Sequence, residues 1–168
     1  GHKYETNWEE RFGRDEGYLK LIPAAIAQAV DKLGITLDAV DKLVCPGMQK
    51  RDHASLARQM GFPAEKVVDN LFEVCGETGT AHPLVMLVAA LEQARPGERI
   101  LVVGYGQGCD VLYFVVTDNI VKLQARNGIK GSLANKATTD SYMRYLRWRG
   151  MLEMENLRLD VPSTHSLS

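Results

Sequence analysis

Residues 76–83 combine side chains suited to acid–base chemistry with a signal for a helix start. The stretch reads GETGTAHP, so a carboxylate (Glu77), two hydroxyls and an imidazole (His82) precede a run of apolar residues. A helix that begins here offers free backbone N–H groups and the positive end of its dipole. Two interpretations stay open. In the first, Glu77 and His82 perform catalysis. In the second, Thr80 caps the helix, the helix dipole stabilises the charge of Glu77, and His82 fills a gap in the packing.

A second candidate is the glycine-rich segment 102–108, which reads VVGYGQG. A dinucleotide-binding loop would require a helix after the glycines, because the helix N-terminus holds the pyrophosphate. A strand pattern follows instead, so we reject nucleotide binding. The remaining alternatives are a hairpin turn and a turn whose bare backbone at Gly104, Gly106 and Gly108 lies against a ligand. The presence of three glycines favours the turn that contacts a ligand, since two glycines suffice for a hairpin turn.

The other reactive side chains favour structural roles. His53 follows Arg51 and Asp52, which predicts a solvated helix start capped by Asp52. The cysteines lie among apolar or glycine neighbours, where a buried inert thiol is the default. They are Cys45, Cys75 and Cys109. No set of Cys and His side chains has metal-ligand spacing, so we predict no metal site.

A basic and aromatic segment, 141–149, interleaves arginines with tyrosines and a tryptophan. RNA binding would need a longer stretch in a basic chain, whereas the formal net charge is -1. We therefore interpret Arg144, Arg147 and Trp148 as a docking site for a partner protein or a phosphate-bearing ligand.

Composition limits the class of protein. The chain has 168 residues, of which 45% are hydrophobic and 24% charged, as in a globular domain with its own core. No apolar run reaches the roughly 18 residues of a spanning helix, and the first residues are no signal peptide. We expect a reduced, cytoplasmic protein that binds neither membrane nor nucleic acid. Gly1 and His2 resemble a tag remnant, so we expect residues 1–3 to be disordered and the chain to be a fragment.

The elements that must position these residues alternate along the chain. Strands are predicted at 3–8, 42–45, 66–69, 100–103 and 111–117, and helices at 19–33, 52–60 and 81–94. Such alternation predicts an α/β domain in which helices cover a mixed, mostly parallel five-stranded sheet. The last two strands are joined too tightly for a crossover helix, so they should be antiparallel. Pro23 requires the first helix to kink or to begin just before it, and Gly34 should end it.

Three motifs follow one another in a specific order: Leu43–Pro46, Gly76–Gly79 and Pro96–Gly108. This order resembles the C-terminal half of the thiolase superfamily, in particular hydroxymethylglutaryl-CoA synthase-like and type III ketoacyl synthase-like proteins. The segment Ser141–Gly150 is similar to the tails of members that work beside a zinc-ribbon/OB-fold partner protein. The resemblance implies a thiolase-like domain at residues 4–119, followed by an extension and tail at residues 120–168.

The resemblance implies a condensing enzyme, an acyltransferase that acts on coenzyme A thioesters and binds no covalent cofactor. In that family two similar halves form one five-layered unit and the enzyme is a homodimer. The first half carries the nucleophilic cysteine, so the resemblance implies that this chain is catalytic only with a missing N-terminal half. The faces that meet the other half should be exposed and apolar in this chain, which predicts self-association.

Residue by residue, the glycine turn matches the family, and with Thr78 it would form the loop against the thioester oxyanion. Pro46 stands where relatives place a histidine, and Glu77 where they place an asparagine. Despite these departures from the family pattern, we hypothesise that Glu77 and His82 form a modified acid–base pair at the helix start. The alternative is a non-catalytic thiolase-like subunit or scaffolding domain that binds a partner protein, and Pro46 favours it.

Overall fold

A computed structural model describes residues 12–47, 50–106, 108–123 and 126–152. These residues fall into two compact units, which separate between Asn135 and Lys136. The predicted tag remnant, the strand predicted at 3–8 and the end of the tail lie outside the described residues. Within the described residues, no helix is both long and apolar enough to cross a membrane.

The first unit alternates helices and strands, as the sequence predicts. Its α-helices are α1 (Leu19–Leu33), α2 (Lys50–Met60), α3 (Phe72–Cys75), α4 (His82–Leu91) and α5 (Gly128–Ala134), and its strands are β1 (Lys42–Val44), β2 (Arg99–Tyr105) and β3 (Cys109–Val115). Short 3-10 turns lie at Leu37–Ala39, Ala64–Lys66, Gly79–Ala81 and Asp118–Lys122. The second unit contains α6 (Tyr142–Trp148).

Helix α1 confirms the predicted end at Gly34, whereas its helical residues begin well upstream of Pro23 instead of just before it. A π-helical turn, Gly13–Tyr18, leads directly into it, and the helix passes through Pro23. Since proline has no N–H to offer the carbonyl of Leu19, the regular bonding pattern is interrupted here, next to the π-helical turn. The helix ends at Gly34, whose φ of 63° is left-handed and favours glycine.

The three strands form one sheet in the order β1-β2-β3. Strands β1 and β2 are parallel, with Leu43 opposite Leu101, and β2 and β3 are antiparallel, as predicted. Of the five predicted strands, the one at 66–69 was wrong: it makes a single parallel bridge between Val67 and Leu43. A 3-10 turn precedes Val67, and the side chains of Asp69 and Asn70 bond backbone N–H groups just after it, so the ladder cannot extend.

The core occupies both faces of the sheet because side chains alternate along each strand. On β2, Leu101 and Val103 pack against α1 and α2, while Ile100 and Val102 pack against Met86 of α4. The neighbouring strand shows the same alternation, since Leu43 and Cys45 face the first helix pair and Val44 faces α4. The sheet is therefore a layer between helices, which confirms the predicted α/β class.

Several large apolar side chains of α4 and β3 remain exposed among the described residues. Because residues 84–91 are apolar all round the helix, the sequence predicts that α4 is buried, but Leu84 is 57% exposed. Leu112 of β3 is 50% exposed. Val88 of α4 and Phe114 of β3 are also exposed. Among the described residues, α4 is buried where it packs on the sheet and is partly exposed elsewhere, which corrects the prediction for the helix. The self-association inferred from exposed apolar faces stays a prediction.

Candidate active site at the carboxyl edge of the sheet

Three loops leave the same edge of the sheet. Strands β1 and β2 are parallel, and Val67 bridges parallel to Leu43, so the segments that follow them emerge together. These segments are 45–47, 69–82 and 104–108. The topology therefore brings Glu77, Thr78 and His82 to the same edge as the predicted glycine turn.

The loop after Val67 begins with two side-chain-to-backbone turns. Oδ1 of Asp69 accepts the N–H of Leu71 at 2.7 Å, and Oδ1 of Asn70 accepts the N–H of Phe72 at 3.2 Å. Between them, Leu71 has a φ of 56°, a left-handed conformation that is strained for a leucine. The chain is thus forced into a defined turn before it reaches the candidate residues.

Glu77 lies exposed just before α4. Its Oε1 accepts the N–H of Gly79 at 2.7 Å, and Gly79 has a positive φ of 66°. The prediction that Thr80 caps the helix was wrong, because a 3-10 turn at Gly79–Ala81 precedes α4 and no side chain caps its first residue. The carboxylate therefore bonds a free backbone N–H near the helix start while the rest of it faces outward.

His82 is the first residue of α4, and its side chain is only 1% exposed. Its Nε2 donates to the carbonyl oxygen of Asn70 at 2.7 Å. Its Nδ1 lies 3.3 Å from the backbone N of Thr78, which donates to it, and 3.1 Å from the Thr78 hydroxyl. Both ring nitrogens therefore have protein partners, and the catalytic role assigned to His82 from sequence stays a prediction.

The glycine turn joins β2 to β3. The N–H of Gly106 donates to the carbonyl of Gly108 at 2.9 Å, and both glycines are exposed. A Cβ added at Gly104, Gly106 or Gly108 would meet nothing within 4 Å in the described chain. The protein's own packing therefore does not require glycine here, and the backbone approach of a ligand stays a prediction.

The same edge also carries a buried polar cluster that the sequence does not predict. His53 was predicted at a solvated helix start, but it is only 8% exposed, because α2 begins earlier, at Lys50. A Cβ on Gly47 would lie 2.5 Å from Cδ2 of His53 and 3.0 Å from the Tyr18 hydroxyl oxygen. That hydroxyl lies 3.6 Å from Sγ of Cys45. The prediction that Asp52 caps the helix was also wrong, since Asp52 is buried inside its first turn.

Burial sets the protonation of this cluster. It raises the pKa of the Cys45 thiol to about 12 and raises the pKa of Tyr18 well above its usual range. It lowers the pKa of His53, although the backbone of Cys45 and the carboxylates of Asp69 and Asp52 act in the opposite direction. Cys45 is therefore a protonated, inert thiol, as predicted, whereas Cys75 and Cys109 are only partly buried, so the burial predicted for these two was wrong. Among the described residues, no group of three His, Cys, Asp or Glu side chains could hold a metal ion.

The second unit carries the predicted docking residues on α6. Ser141 caps this helix by accepting the N–H of Arg144 at 3.4 Å, and the rings of Tyr142 and Tyr145 stack with centroids 5.9 Å apart. Trp148 is 70% exposed. The segment therefore forms a short helix whose aromatic side chains are accessible within this chain.

The comparison that decides the family covers most of the first unit. Residues 30–117 match the family described as 3-oxoacyl-(acyl-carrier-protein) synthase III C terminal. This chain belongs to that family. The matched range of the synthase III C-terminal domain includes Glu77, Thr78, His82 and the glycine turn, so the candidate edge of the sheet lies inside it.

Curated relatives of this synthase III C-terminal domain are hydroxymethylglutaryl-CoA synthases. Those of Caldivirga maquilingensis and Methanothermobacter thermautotrophicus are each 32% identical over 149 residues, 86% of this chain and 42% of theirs. The chain thus spans less than half the length of these relatives. The crystal structure of 3-oxoacyl-(acyl carrier protein) synthase III from Pseudomonas aeruginosa PAO1 superposes with a TM-score of 0.58 and 22% identity, covering 67% of this chain and 36% of that one. This likeness confirms the predicted thiolase-like fold of a C-terminal half.

Proposed function

We propose that this synthase III C-terminal domain is one half of a condensing enzyme that transfers acyl groups from coenzyme A thioesters. The observation that carries the proposal is the 32% identity over 149 residues to two hydroxymethylglutaryl-CoA synthases. The proposal includes a homodimer in the cytoplasm. Its substrate is an acyl-CoA, and no cofactor is covalently bound.

Condensation of thioesters needs a thiolate that accepts the acyl group, donors that hold the thioester oxyanion, and a group that moves the proton. Cys45 does not supply the thiolate, because it is fully buried and its pKa is raised to about 12. We place the nucleophile in an N-terminal half, as the resemblance to the thiolase superfamily implies. This chain contributes the polar loop and the glycine turn at the carboxyl edge of its sheet.

Glu77 is the acid–base residue in this proposal, with His82 as its partner at the mouth of α4. Glu77 is exposed, and only its Oε1 has a hydrogen bond within the described residues. Its second oxygen is thus open to a bound thioester. Thr78 and the backbone of Gly104, Gly106 and Gly108 would line the thioester.

Full-length protein that contains this chain tests the proposal. Intact-mass detection after incubation with several CoA thioesters should show a covalent acyl adduct. Glu77→Gln should retain the adduct and lower the condensation rate about 100-fold or more, the range for loss of an acid–base group. Glu73→Gln removes another exposed carboxylate of the same loop and serves as the matched control. No adduct from any thioester, or equal rates for the two variants, would reject the proposal.

The second candidate is a non-catalytic subunit or scaffolding domain, and the exposed aromatic and basic face of α6 favours it. Aromatic side chains and arginine are enriched at the energetic centres of protein interfaces. Arg144, Arg147 and Trp148 would then dock a zinc-ribbon/OB-fold protein. Trp148→Ala should weaken a purified complex with such a protein in size-exclusion chromatography, whereas Leu133→Ala on α5 should not. A complex unaffected by Trp148→Ala would reject this docking site.

A further inference from the structure

We propose that His82 is a positioning residue that fixes the loop carrying Glu77 and exchanges no proton with the substrate. The inference rests on the proposed function, because it divides the work of the two residues within that site. Glu77 would be the residue that touches the substrate. His82 would act only through the conformation of the loop.

His82 joins two parts of the loop that are distant in sequence. Its Nε2 bonds the carbonyl of Asn70 at 2.7 Å, and its Nδ1 receives the N–H of Thr78 at 3.3 Å. Thr78 directly follows Glu77, so the ring holds the backbone beside the carboxylate. With its side chain 1% exposed, the ring is packed into the protein and cannot meet a substrate without local opening.

The bonding partners determine which ring nitrogen carries the proton. A carbonyl oxygen only accepts, so Nε2 of His82 must carry the hydrogen that bonds Asn70. A backbone N–H only donates, so Nδ1 must present its lone pair to Thr78, and the Thr78 hydroxyl at 3.1 Å can donate to the same lone pair. The ring is therefore neutral with hydrogen on Nε2, and neither nitrogen remains for proton exchange with a ligand.

The start of the loop carries strain that needs such a clamp. Leu71 has a φ of 56°, and a leucine keeps this conformation only where its surroundings enforce it. The side chains of Asp69 and Asn70 bond the N–H groups of Leu71 and Phe72, and His82 holds the Asn70 carbonyl. Strain of this kind clusters at functional sites, where the fold over-determines the backbone.

The clamp leaves the carboxylate of Glu77 accessible for chemistry. Glu77 is held through its Oε1, which accepts the N–H of Gly79 at 2.7 Å, and it is exposed. A fixed backbone on one side and one bonded oxygen on the other restrict the orientation of the carboxylate. The conformation of the loop therefore sets the direction of the second carboxylate oxygen of Glu77, and His82 does not contact it.

Activity of the full-length protein tests the division of work. His82→Gln keeps a donor for the Asn70 carbonyl, whereas His82→Ala keeps none. We expect His82→Ala to lower kcat at least tenfold, His82→Gln to recover part of that loss, and the acidic limb of the pH–rate profile to persist in His82→Gln but to vanish in Glu77→Gln. Loss of the acidic limb in His82→Gln would overturn the proposal, because it would show that His82 itself transfers the proton.

A measurement without substrate separates this proposal from the proposed function. In the wild-type chain at pH 7, ¹H–¹⁵N spectra of the imidazole should show neutral His82 with hydrogen on Nε2, and the Thr78 amide should exchange slowly. His82→Gln should accelerate Thr78 exchange, while Glu77→Gln should not. A hydrogen on Nδ1, a charged ring, or Thr78 exchange unchanged in His82→Gln would refute the clamp. An inactive wild-type enzyme with these spectral features would reject the condensing function but leave the clamp in place.

Discussion

Gly47→Ala should destabilise the domain by overpacking the buried cluster at the carboxyl end of β1. The new Cβ would lie 2.5 Å from Cδ2 and 2.7 Å from Nε2 of His53, and 3.0 Å from the Tyr18 hydroxyl oxygen. Contacts below 3.0 Å must be relieved by movement, and both neighbouring rings are buried, so neither can turn toward solvent. Forcing a methyl group into such a packed site costs about 1–3 kcal/mol.

Urea titration followed by circular dichroism measures this loss directly. For a chain of this size, each kcal/mol also lowers Tm by about 2–4 °C, which a thermal scan would resolve. Gly13→Ala is the matched control, because a Cβ at Gly13 meets nothing within 4 Å and its φ is not left-handed. The control should not be destabilised, and it should gain at most about 1 kcal/mol because alanine replaces a helical glycine at a compatible φ.

A double-mutant cycle identifies His53 as the obstacle. His53→Ala removes the ring, so Gly47→Ala should be less destabilising in that background than in wild type. The difference between the two costs is the coupling energy of the pair. If Gly47→Ala is as stable as Gly13→Ala, or if its cost is unchanged without the His53 ring, the steric reasoning is refuted.

Three further outcomes follow from burial and exposure. Burial lowers the pKa of His53 below about 6.5, so the unfolded chain binds more protons between the two pKa values. Stability should therefore fall as pH drops below about 6.5, and His53→Gln should reduce that slope in urea titrations; an unchanged slope would contradict this. Cys45 should resist iodoacetamide until the chain is denatured, because its pKa is about 12; peptide mass spectrometry showing native labelling would contradict this. Leu112→Lys should reduce self-association in light scattering, whereas Thr117→Lys should not. Equal effects of the two variants would show that the exposed apolar side chains do not drive self-association.

The sequence predicted the elements whose signals are local. Helical spacing located α1, and Gly34 ended it as expected, because both signals depend on a few neighbouring residues. The apolar runs around Leu43 and Leu101 became the parallel pair at the centre of the sheet. The tight connection after β2 also fixed the antiparallel direction of β3.

The sequence could not predict contacts that depend on distant partners. The ring of His82 is held by Asn70, which no local pattern links to the start of α4. For His53, the helical periodicity does predict burial. His53 has the spacing of one helix face with Leu56, Ala57 and Met60, and that face is turned inward. The charged neighbours Arg51 and Asp52 suggested an exposed helix start. The charge of neighbouring residues predicts exposure only where the helical periodicity also does.

The pairing of β1 has a consequence for the order of folding during synthesis. Lys42 pairs with Ile100, so β1 cannot join the sheet until the ribosome has released the chain well beyond α4. Strands β2 and β3 are joined by a tight turn, and their pairing requires closure of only a short loop. Long-range parallel pairing is the slower step in such a topology. The β2–β3 hairpin can therefore serve as the template for β1, whose short ladder forms after the hairpin.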